Sequence, residues 1–269
     1  MRVFPSHPGT RDARRKRALR RIRDNIARSG HHIYIVAGEE TPRFAYTIGV
    51  SEAIGVELIL AGACFYSNRV VVQIINNLVP RLKSGDDWEA SRFDLAGLGS
   101  FILRKAHASW ATELILGALD YYAANEIPAL QIVPDKTCWT IDVPDMSAPS
   151  SASTEPVWRW LHEAWTYPVP KKARAATDLA ALRGKRITEA MRWEEEEWEL
   201  FSGAGPDIAK DELRMVPLGT LLAVDETLVP VLELPIGEGL WRDADPDSEW
   251  QPWRRSAQGD RAGGSGEIE

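Results

Sequence analysis

Two short apolar runs separated by a turn constrain the fold of this chain more than any other feature. HIYIVA occupies residues 32–37 and RFAYTIGV occupies residues 43–50. Both runs are rich in β-branched and aromatic residues, which favour strands, and the EETP between them contains the proline that is typical of a turn. The spacing therefore predicts an antiparallel β-hairpin.

The second strand of this hairpin presents two chemically different faces. Because side chains alternate along a strand, one face carries large residues and the other carries small or polar ones, with Phe44, Tyr46 and Ile48 on the first and Ala45, Thr47 and Gly49 on the second. A small face lets a ligand approach closely. In the functional interpretation His32 shares that face and supplies a donor or base near neutral pH. The favoured interpretation is a core strand with a Thr47–His32 hydrogen bond.

A candidate ligand pocket follows from the first alternative. It combines polar or small residues of the hairpin with a thiol and with two polar residues of a later apolar run: His32, Tyr46, Thr47, Gly49, Cys64, Gln131 and Asp135. Tyr46 contributes a hydroxyl only if its ring leans toward a cleft.

The remaining periodicities predict an α+β fold. Helical spacing of apolar residues marks three segments, and short apolar runs mark three further strands: helices near 11–28, 67–85 and 109–125, and strands near 56–62, 100–106 and 128–134. Ser67 is a predicted N-cap, and Pro80 is expected to kink or end the last turn of its helix. We expect a mixed or mainly antiparallel sheet packed with helices, plus a smaller α+β C-terminal domain.

A Pro/Ser/Ala-rich stretch predicts the boundary between two domains. Residues 143–156 contain few large apolar groups, so we expect an exposed linker. The resulting plan has a flexible N-terminus, a first domain, the linker, a tryptophan-rich second domain and a disordered tail, at residues 1–10, 11–142, 143–156, 157–253 and 254–269. Tryptophan in the second domain serves either as a core anchor or on a partner-binding face.

The charge is divided unevenly along the chain. The net charge is −7, and residues 11–28 carry +7, so the rest of the chain carries −14. Nucleic-acid binding by the basic segment is not favoured, because the acidic remainder repels phosphates. The favoured interpretation is an amphipathic helix with an apolar stripe under a solvated arginine face.

Composition further predicts a cytoplasmic protein without a membrane span. No apolar run approaches the roughly 20 residues that a membrane helix needs, and no signal-peptide core follows the basic N-terminus. Cys64 and Cys138 lie far apart and form no C-x-x-C pair, so both are interpreted as buried thiols in a reducing compartment.

Motifs for catalysis and cofactor binding are not found in the sequence. The histidines lack H-x-x-x-H or H-E-x-x-H spacing, and G-x-S-x-G, Walker and G-x-G-x-x-G patterns do not occur. Cys64 has no adjacent base. We therefore expect no metal and no cofactor, and a binding protein is favoured over an enzyme.

The N-terminal half resembles a bacterial domain of unknown function. The resemblance is carried by IARSGHHIYIV, FAYTIG, ELILAGA and ALQIVPD, over about residues 17–145. After Asp135 the chain departs from the family, where KTCWTIDVP replaces its Pro-Trp ending. The family has no assigned chemistry, so this resemblance implies an architecture and no activity.

Residues 187–245 resemble a family of polymorphic-toxin immunity proteins, the one numbered thirty-three. The matching residues are aromatic, acidic, proline and glycine positions of the family motif: Trp198, Phe201, Gly203, Asp225, Leu228, Pro230, Pro235, Gly237, Trp241 and Arg242. This resemblance implies an immunity or neutralising factor with a toxin-like partner.

An acidic run beside tryptophans supplies a candidate partner-binding site. WEEEEWEL spans residues 193–200, and its candidate residues are Glu194, Glu195, Glu196, Glu197 and Trp198. Such a run suits capture of a cationic protein, with the glutamates steering it and tryptophan anchoring it. The alternative is a solvated helix face or edge with Trp193 and Trp198 packed inward.

Two hypotheses follow. The first is a cytosolic binding protein that engages a cationic, toxin-like partner through an acidic C-terminal face. The second is a small-molecule sensor or hydrolase-like enzyme with its site on the FAYTIG hairpin. The oligomeric state is not indicated by the sequence.

Overall fold

The computed structural model of the protein describes residues 8–253, which form two six-stranded mixed sheets with flanking helices. This confirms the predicted α+β class. The predicted disordered tail, 254–269, and most of the predicted flexible N-terminus lie outside the described residues, whereas Pro8 already begins the first helix.

Helices and strands alternate in the first half of the chain, and strands dominate the second. The α-helices are α1 (Pro8–Ser29), α2 (Ser51–Ile54), α3 (Asn68–Lys83), α4 (Ala108–Leu114), α5 (Leu116–Tyr122) and α6 (Leu218–Leu222). The strands are β1 (His32–Val36), β2 (Phe44–Ile48), β3 (Glu57–Ala61), β4 (Phe93–Leu95), β5 (Gly99–Lys105), β6 (Ala129–Pro134), β7 (Arg174–Asp178), β8 (Glu189–Arg192), β9 (Glu197–Phe201), β10 (Leu213–Pro217), β11 (Gly239–Trp241) and β12 (Gln251–Pro252). Four 3₁₀ helices lie at Pro156–Leu161, Ala181–Arg183, Gly205–Asp207 and Glu226–Glu233.

The first sheet has the strand order β1-β2-β3-β6-β5-β4. β1 and β2 pair antiparallel, which confirms the predicted hairpin. β3 and β6 are the parallel pair. α3 covers one face of this sheet, while α1, α4 and α5 pack on the other, so β2 and β3 are buried on both faces.

The predicted helices are present with some changes at their ends. Ser67 caps α3 by accepting a hydrogen bond from the Val70 amide, as predicted, but α3 continues through Pro80 to Lys83. The predicted helix at 109–125 is divided into α4 and α5 at Ile115, whose backbone is not helical. In α1, Ile22 is 4% exposed while most arginines face solvent, which confirms the amphipathic helix.

The second sheet has the order β10-β7-β9-β8-β11-β12. Its inner face packs against α6 and the last 3₁₀ helix, in a core that includes Trp198 and Leu200. On its outer face Met191 and Phe201 are buried, and Gly205 of the third 3₁₀ helix packs against the Phe201 ring.

The segment between the sheets is more buried than an exposed linker would be. Val143, Pro144 and Met146 are buried, because Gln131 on β6 binds the segment: its amide donates to the Pro144 carbonyl at 2.6 Å and accepts from the Met146 amide at 3.2 Å. Residues 147–149 are exposed, as predicted. The domain plan itself stays a prediction.

Side chains also cross between the two halves. Trp158, assigned from sequence to the second domain, packs edge-on against Trp110 at 5.8 Å between ring centroids, in the core of the first sheet. In the opposite direction, Cys64 and Ile141 pack against the core of the second sheet. Among the helices that the structure describes, none is both long enough and apolar enough to cross a membrane.

Candidate functional site

Thr47 and Gly49 of the FAYTIG hairpin are bound to a buried glutamate. Glu57, at the start of β3, has no solvent exposure. Its carboxylate accepts hydrogen bonds from the Thr47 hydroxyl at 2.5 Å, the Gly49 amide at 3.0 Å and the Tyr122 hydroxyl at 2.7 Å. The Thr47 oxygen in turn accepts from the Leu58 amide at 2.8 Å. The polar groups of the predicted small face are therefore already paired with one another.

His32 does not share the face of Thr47, so the predicted Thr–His contact is wrong. In the β1–β2 register His32 lies opposite Ile48, and Ile33 lies opposite Thr47. Since directly opposed residues of an antiparallel pair point to the same side, His32 lies on the Tyr46 face. Its Nδ1 lies 2.8 Å from the side-chain amide of Asn25, and burial lowers its pKa.

Tyr46 is a core residue of the hairpin. It is 2% exposed, stacks on Tyr34 at 5.5 Å between ring centroids and accepts a hydrogen bond from the Gly117 amide at 3.1 Å. Burial raises the pKa of its hydroxyl to about 12. The phenol is therefore a neutral packing group near pH 7.

The other candidate pocket residues lie apart from the hairpin network. Gln131 holds the 143–146 segment, and the Asp135 carboxylate accepts from the Ser100 and Thr137 amides at the end of β6. Cys64 lies at the contact between the two sheets, where burial raises the pKa of its thiol. The structure thus does not bring the seven residues into one pocket.

A groove on the outer face of the second sheet is the most developed surface site. It has a volume of about 720 Å³. Met191 and Phe201, each 7% exposed, form its floor. Trp193 and Trp253 stand at its rim and are 44% and 50% exposed. The groove therefore offers two tryptophan rings beside an apolar floor.

Strand alternation places acidic side chains in the same groove. Glu189 lies opposite Phe201, and Glu199 lies opposite Met191, in the antiparallel β8–β9 pair. Glu238 adds a third carboxylate from the chain entering β11. Among residues 8–253, no lysine or arginine forms an ion pair with any of the three. A cation bound here gains a cation–π interaction with a tryptophan ring and charge-assisted hydrogen bonds to the carboxylates.

The acidic run forms the turn of the β8–β9 hairpin, at one end of this groove. The Trp193 and Glu194 amides both donate to the Glu197 carbonyl, which closes the turn. Glu196 pairs with Lys172 at 2.8 Å and Glu197 with Arg174 at 3.4 Å. Glu194 and Glu195 are exposed and have no such partner within the described residues.

The two tryptophans that flank the run have opposite environments. Trp198 is 2% exposed and lies in the inner core, with the Arg192 guanidinium 4.9 Å from its ring centroid, so it is not at the surface for a partner. Trp193 is exposed at the groove rim, which differs from the inward packing expected in the solvated-face alternative.

Residues of the groove that the sequence did not single out are Glu189, Met191, Glu199, Glu238 and Trp253. Glu189, Met191 and Glu199 could have been found by interpreting EAMR and EWELF as strands. Side chains alternate between the two faces of a strand, which puts Trp198 and Glu199 on opposite faces. In the part of the chain that the structure describes, no cluster of three or more His, Cys, Asp or Glu residues fits a metal ion.

Comparison with known proteins supports the first half of the chain only. Residues 25–137 match the family described as Domain of unknown function (DUF4262). The match runs from the last turns of α1 through β6 and so covers the first sheet. None of the curated proteins and none of the solved structures matches the chain at a significant level. The chain therefore contains the domain of unknown function that its N-terminal motifs predicted.

Proposed function

We propose that this protein is a binding protein that captures a cationic segment of another protein in the acidic, tryptophan-rimmed groove of its second sheet. The observation that carries this proposal is the groove itself. It places three carboxylates with no cationic partner among residues 8–253 around an apolar floor, between two exposed tryptophans. Its chemistry complements a lysine- or arginine-containing peptide with interspersed apolar residues.

The dimensions and the charge both support a peptide rather than a flat protein surface. A volume of about 720 Å³ is within the range of sites that enclose several side chains. The exposed Glu194 and Glu195 extend the negative potential beyond the groove, and such a field accelerates the encounter with a cationic partner. Trp193 then supplies the kind of anchor that dominates binding energy.

The resemblance of residues 187–245 to toxin-immunity proteins supports a neutralising role. Two residues of that motif line the groove, namely Phe201 and Gly237. In this proposal the partner is a basic, toxin-like protein of the same bacterial cytoplasm. A toxin gene next to the gene for this protein would support the proposal further.

The small-molecule hypothesis is retained as an alternative with its own test. If the hairpin held a ligand site, His32→Ala would remove ligand binding and leave the free energy of unfolding unchanged. The contact between His32 and Asn25 favours a loss of stability instead, because the substitution removes the partner of the half-buried Asn25 amide.

The proposal is tested with a defined peptide pair. A fluorescently labelled peptide of alternating lysine and leucine is titrated with the protein, and one of alternating glutamate and leucine serves as its charge-reversed match. We expect the lysine peptide to bind and the glutamate peptide not to bind. Trp193→Ala is expected to weaken binding by about tenfold, and Glu199→Gln by about threefold.

Glu163→Gln is the matched control for Glu199→Gln, because Glu163 is exposed and lies outside the groove. Arg254 and Arg255 directly follow Trp253, so a variant ending at Trp253 shows whether the chain's own end competes for the groove. Equal affinity for both peptides, or affinity unaffected by both groove substitutions, would contradict the proposal.

A further inference from the structure

A second cavity lies where the two sheets meet, away from the acidic groove. It has a volume of about 290 Å³. Its wall combines the β1–β2 loop, the chain between β3 and α3, Asp142, and the segment from β10 to α6. Both halves of the chain therefore contribute to it.

Two arginines place positive charge on this wall. The Arg43 guanidinium donates to the carbonyls of Tyr66 and Ala63, both at 2.8 Å, and the Arg214 guanidinium donates to those of Cys64 and Phe65, both at 2.9 Å. Neither guanidinium lies within 4.0 Å of a carboxylate in the described part of the chain. Their charges are thus held in place by backbone carbonyls, and Asp142 is the carboxylate whose charge acts on Arg43.

Asp142 is the acidic residue of this cavity, and its oxygens are already engaged. Its carboxylate accepts from the Cys64 amide at 3.1 Å and the Thr140 hydroxyl at 2.6 Å. Gly62 permits this approach, because a Cβ there would lie 1.9 Å from the Asp142 carbonyl oxygen. Even with Asp142 ionised, the two arginines leave the wall with a net positive charge.

Most N–H groups of the two guanidiniums are already used: the Arg43 Nη atoms donate to Gly62, Ala63, Tyr66 and Asn68, and the Arg214 Nη1 atom donates to Asp211 and Leu213. Two other donors among the residues that line the cavity have no partner. Within residues 8–253, the Arg43 Nε and the Thr220 hydroxyl are buried without any hydrogen-bond partner. Ser67 and Asn68 line the same space at the N-terminus of the 16-residue helix α3. The Asn68 oxygen accepts from Arg43, so its NH₂ group remains to donate. An unmet buried donor costs free energy that a bound acceptor would recover.

We propose that this cavity binds a small oxyanion, such as the phosphate or carboxylate group of a metabolite, between Arg43, Arg214 and Thr220. Guanidinium groups and a helix N-terminus are both favourable for oxyanions. Because the arginines come from different halves of the chain, a bound anion would tie the two sheets together. This site is independent of the acidic groove and of its proposed peptide.

The test uses inorganic phosphate as the probe. Phosphate is titrated into the full chain by calorimetry at constant ionic strength set with sodium chloride, and the thermal midpoint is followed in parallel. We expect saturable binding and a midpoint that rises with phosphate as mass action requires. Sulfate and acetate in separate titrations show whether the site prefers a tetrahedral or a planar oxyanion.

Two substitutions separate the cavity from general salt effects. Thr220→Val keeps the side-chain shape and removes the hydroxyl. Arg43→Lys keeps the charge and removes the planar guanidinium with its hydrogen bonds to Gly62, Ala63, Tyr66 and Asn68. Each substitution is expected to weaken phosphate binding by about tenfold or more. Arg17→Gln with Arg20→Gln is the control for nonspecific attraction of phosphate to surface charge, because both arginines are exposed on α1 and lie outside the cavity.

The outcomes are distinct. Binding that is lost in Thr220→Val and kept in the α1 control supports the cavity, even if Arg43→Lys fails to fold. No saturable binding, or binding that is lost in the α1 control and kept in Thr220→Val, overturns the proposal.

Discussion

A buried hydrogen bond joins Thr47 of β2 to Glu57 of β3: the threonine hydroxyl donates to the glutamate carboxylate at 2.5 Å. The Gly49 and Ser51 amides and the Tyr122 hydroxyl complete the ring of donors around this carboxylate. We predict that Glu57→Ala lowers the free energy of unfolding by more than about 3 kcal/mol, since several buried donors lose their acceptor.

Urea unfolding measures this loss. Glu52→Ala is the control, because Glu52 is exposed on α2 and is expected to change stability by less than about 0.5 kcal/mol. A Glu57→Ala variant as stable as the control would show that the carboxylate does not hold the hairpin.

The buried histidines predict a loss of stability in mild acid. His31 and His32 are 8% and 9% exposed, and burial lowers the pKa of each; Lys83 adds to this for His31, and Arg21 for His32. A folded-state pKa below 6.5 means that the unfolded chain binds the proton more readily. Their contribution is therefore present above pH 6.5 and is lost as the pH falls toward the folded-state values.

Unfolding by urea at pH 7.5 and pH 5.5 tests this sign. The wild-type protein is expected to lose more stability between these pH values than the His31→Gln/His32→Gln variant, at about 1.4 kcal/mol per unit of pKa shift. His107→Gln, at an exposed position, is the control. An equal pH dependence in wild type and double variant would contradict the prediction.

Substitution of Trp198 is expected to lower stability, whereas substitution of Trp193 is expected to weaken peptide binding. Trp198 is 2% exposed in the core, so Trp198→Ala should cost about 3 to 5 kcal/mol of stability. Trp193 is 44% exposed, so Trp193→Ala should leave the unfolding midpoint nearly unchanged. The same substitution should weaken binding of the lysine–leucine peptide, because Trp193 lines the groove. Parallel unfolding and binding curves decide the matter, and a stability loss in Trp193→Ala as large as that in Trp198→Ala would refute this division.

Charge reversal of Glu194 and Glu195 is expected to slow association. Both are exposed, whereas Glu196 and Glu197 are paired with Lys172 and Arg174. Glu194→Lys/Glu195→Lys should reduce the association rate of the lysine–leucine peptide by about tenfold at low salt. The difference in association rate between the wild-type protein and this variant should shrink at 1 M salt, where charges are screened over about 3 Å. Stopped-flow fluorescence measures it, and a deficit that does not depend on salt would argue against steering.

The first sheet could be predicted from sequence because its signals are local. The β1–β2 hairpin, the Ser67 cap of α3 and the apolar run of β6 each follow from neighbouring residues. The face of His32 could not be predicted in this way. It depends on the register of β1 against β2, and a shift of one residue moves a side chain to the other face.

The groove was missed for a related reason. WEEEEWEL carries a dense acidic signal, and that signal hid the strand β9, along which alternation places Glu199 on the face opposite Trp198. The burial of Val143 and Met146 depends on Gln131, which is distant in sequence, so the composition of 143–156 alone indicated exposure. Contacts of this kind are set by tertiary packing and leave no periodic pattern.

Site-specific photo-crosslinking in the native host tests the central claim most directly. A photoreactive phenylalanine analogue replaces Trp193 at the groove rim, and the same analogue at Glu163, outside the groove, serves as the control. The proposal predicts a defined crosslink to a basic protein from position 193, absent from position 163 and reduced when Glu199→Gln is added. Equal labelling from both positions would contradict the proposal. A crosslink from position 193 to a protein that is not basic, unchanged by Glu199→Gln, would also contradict it.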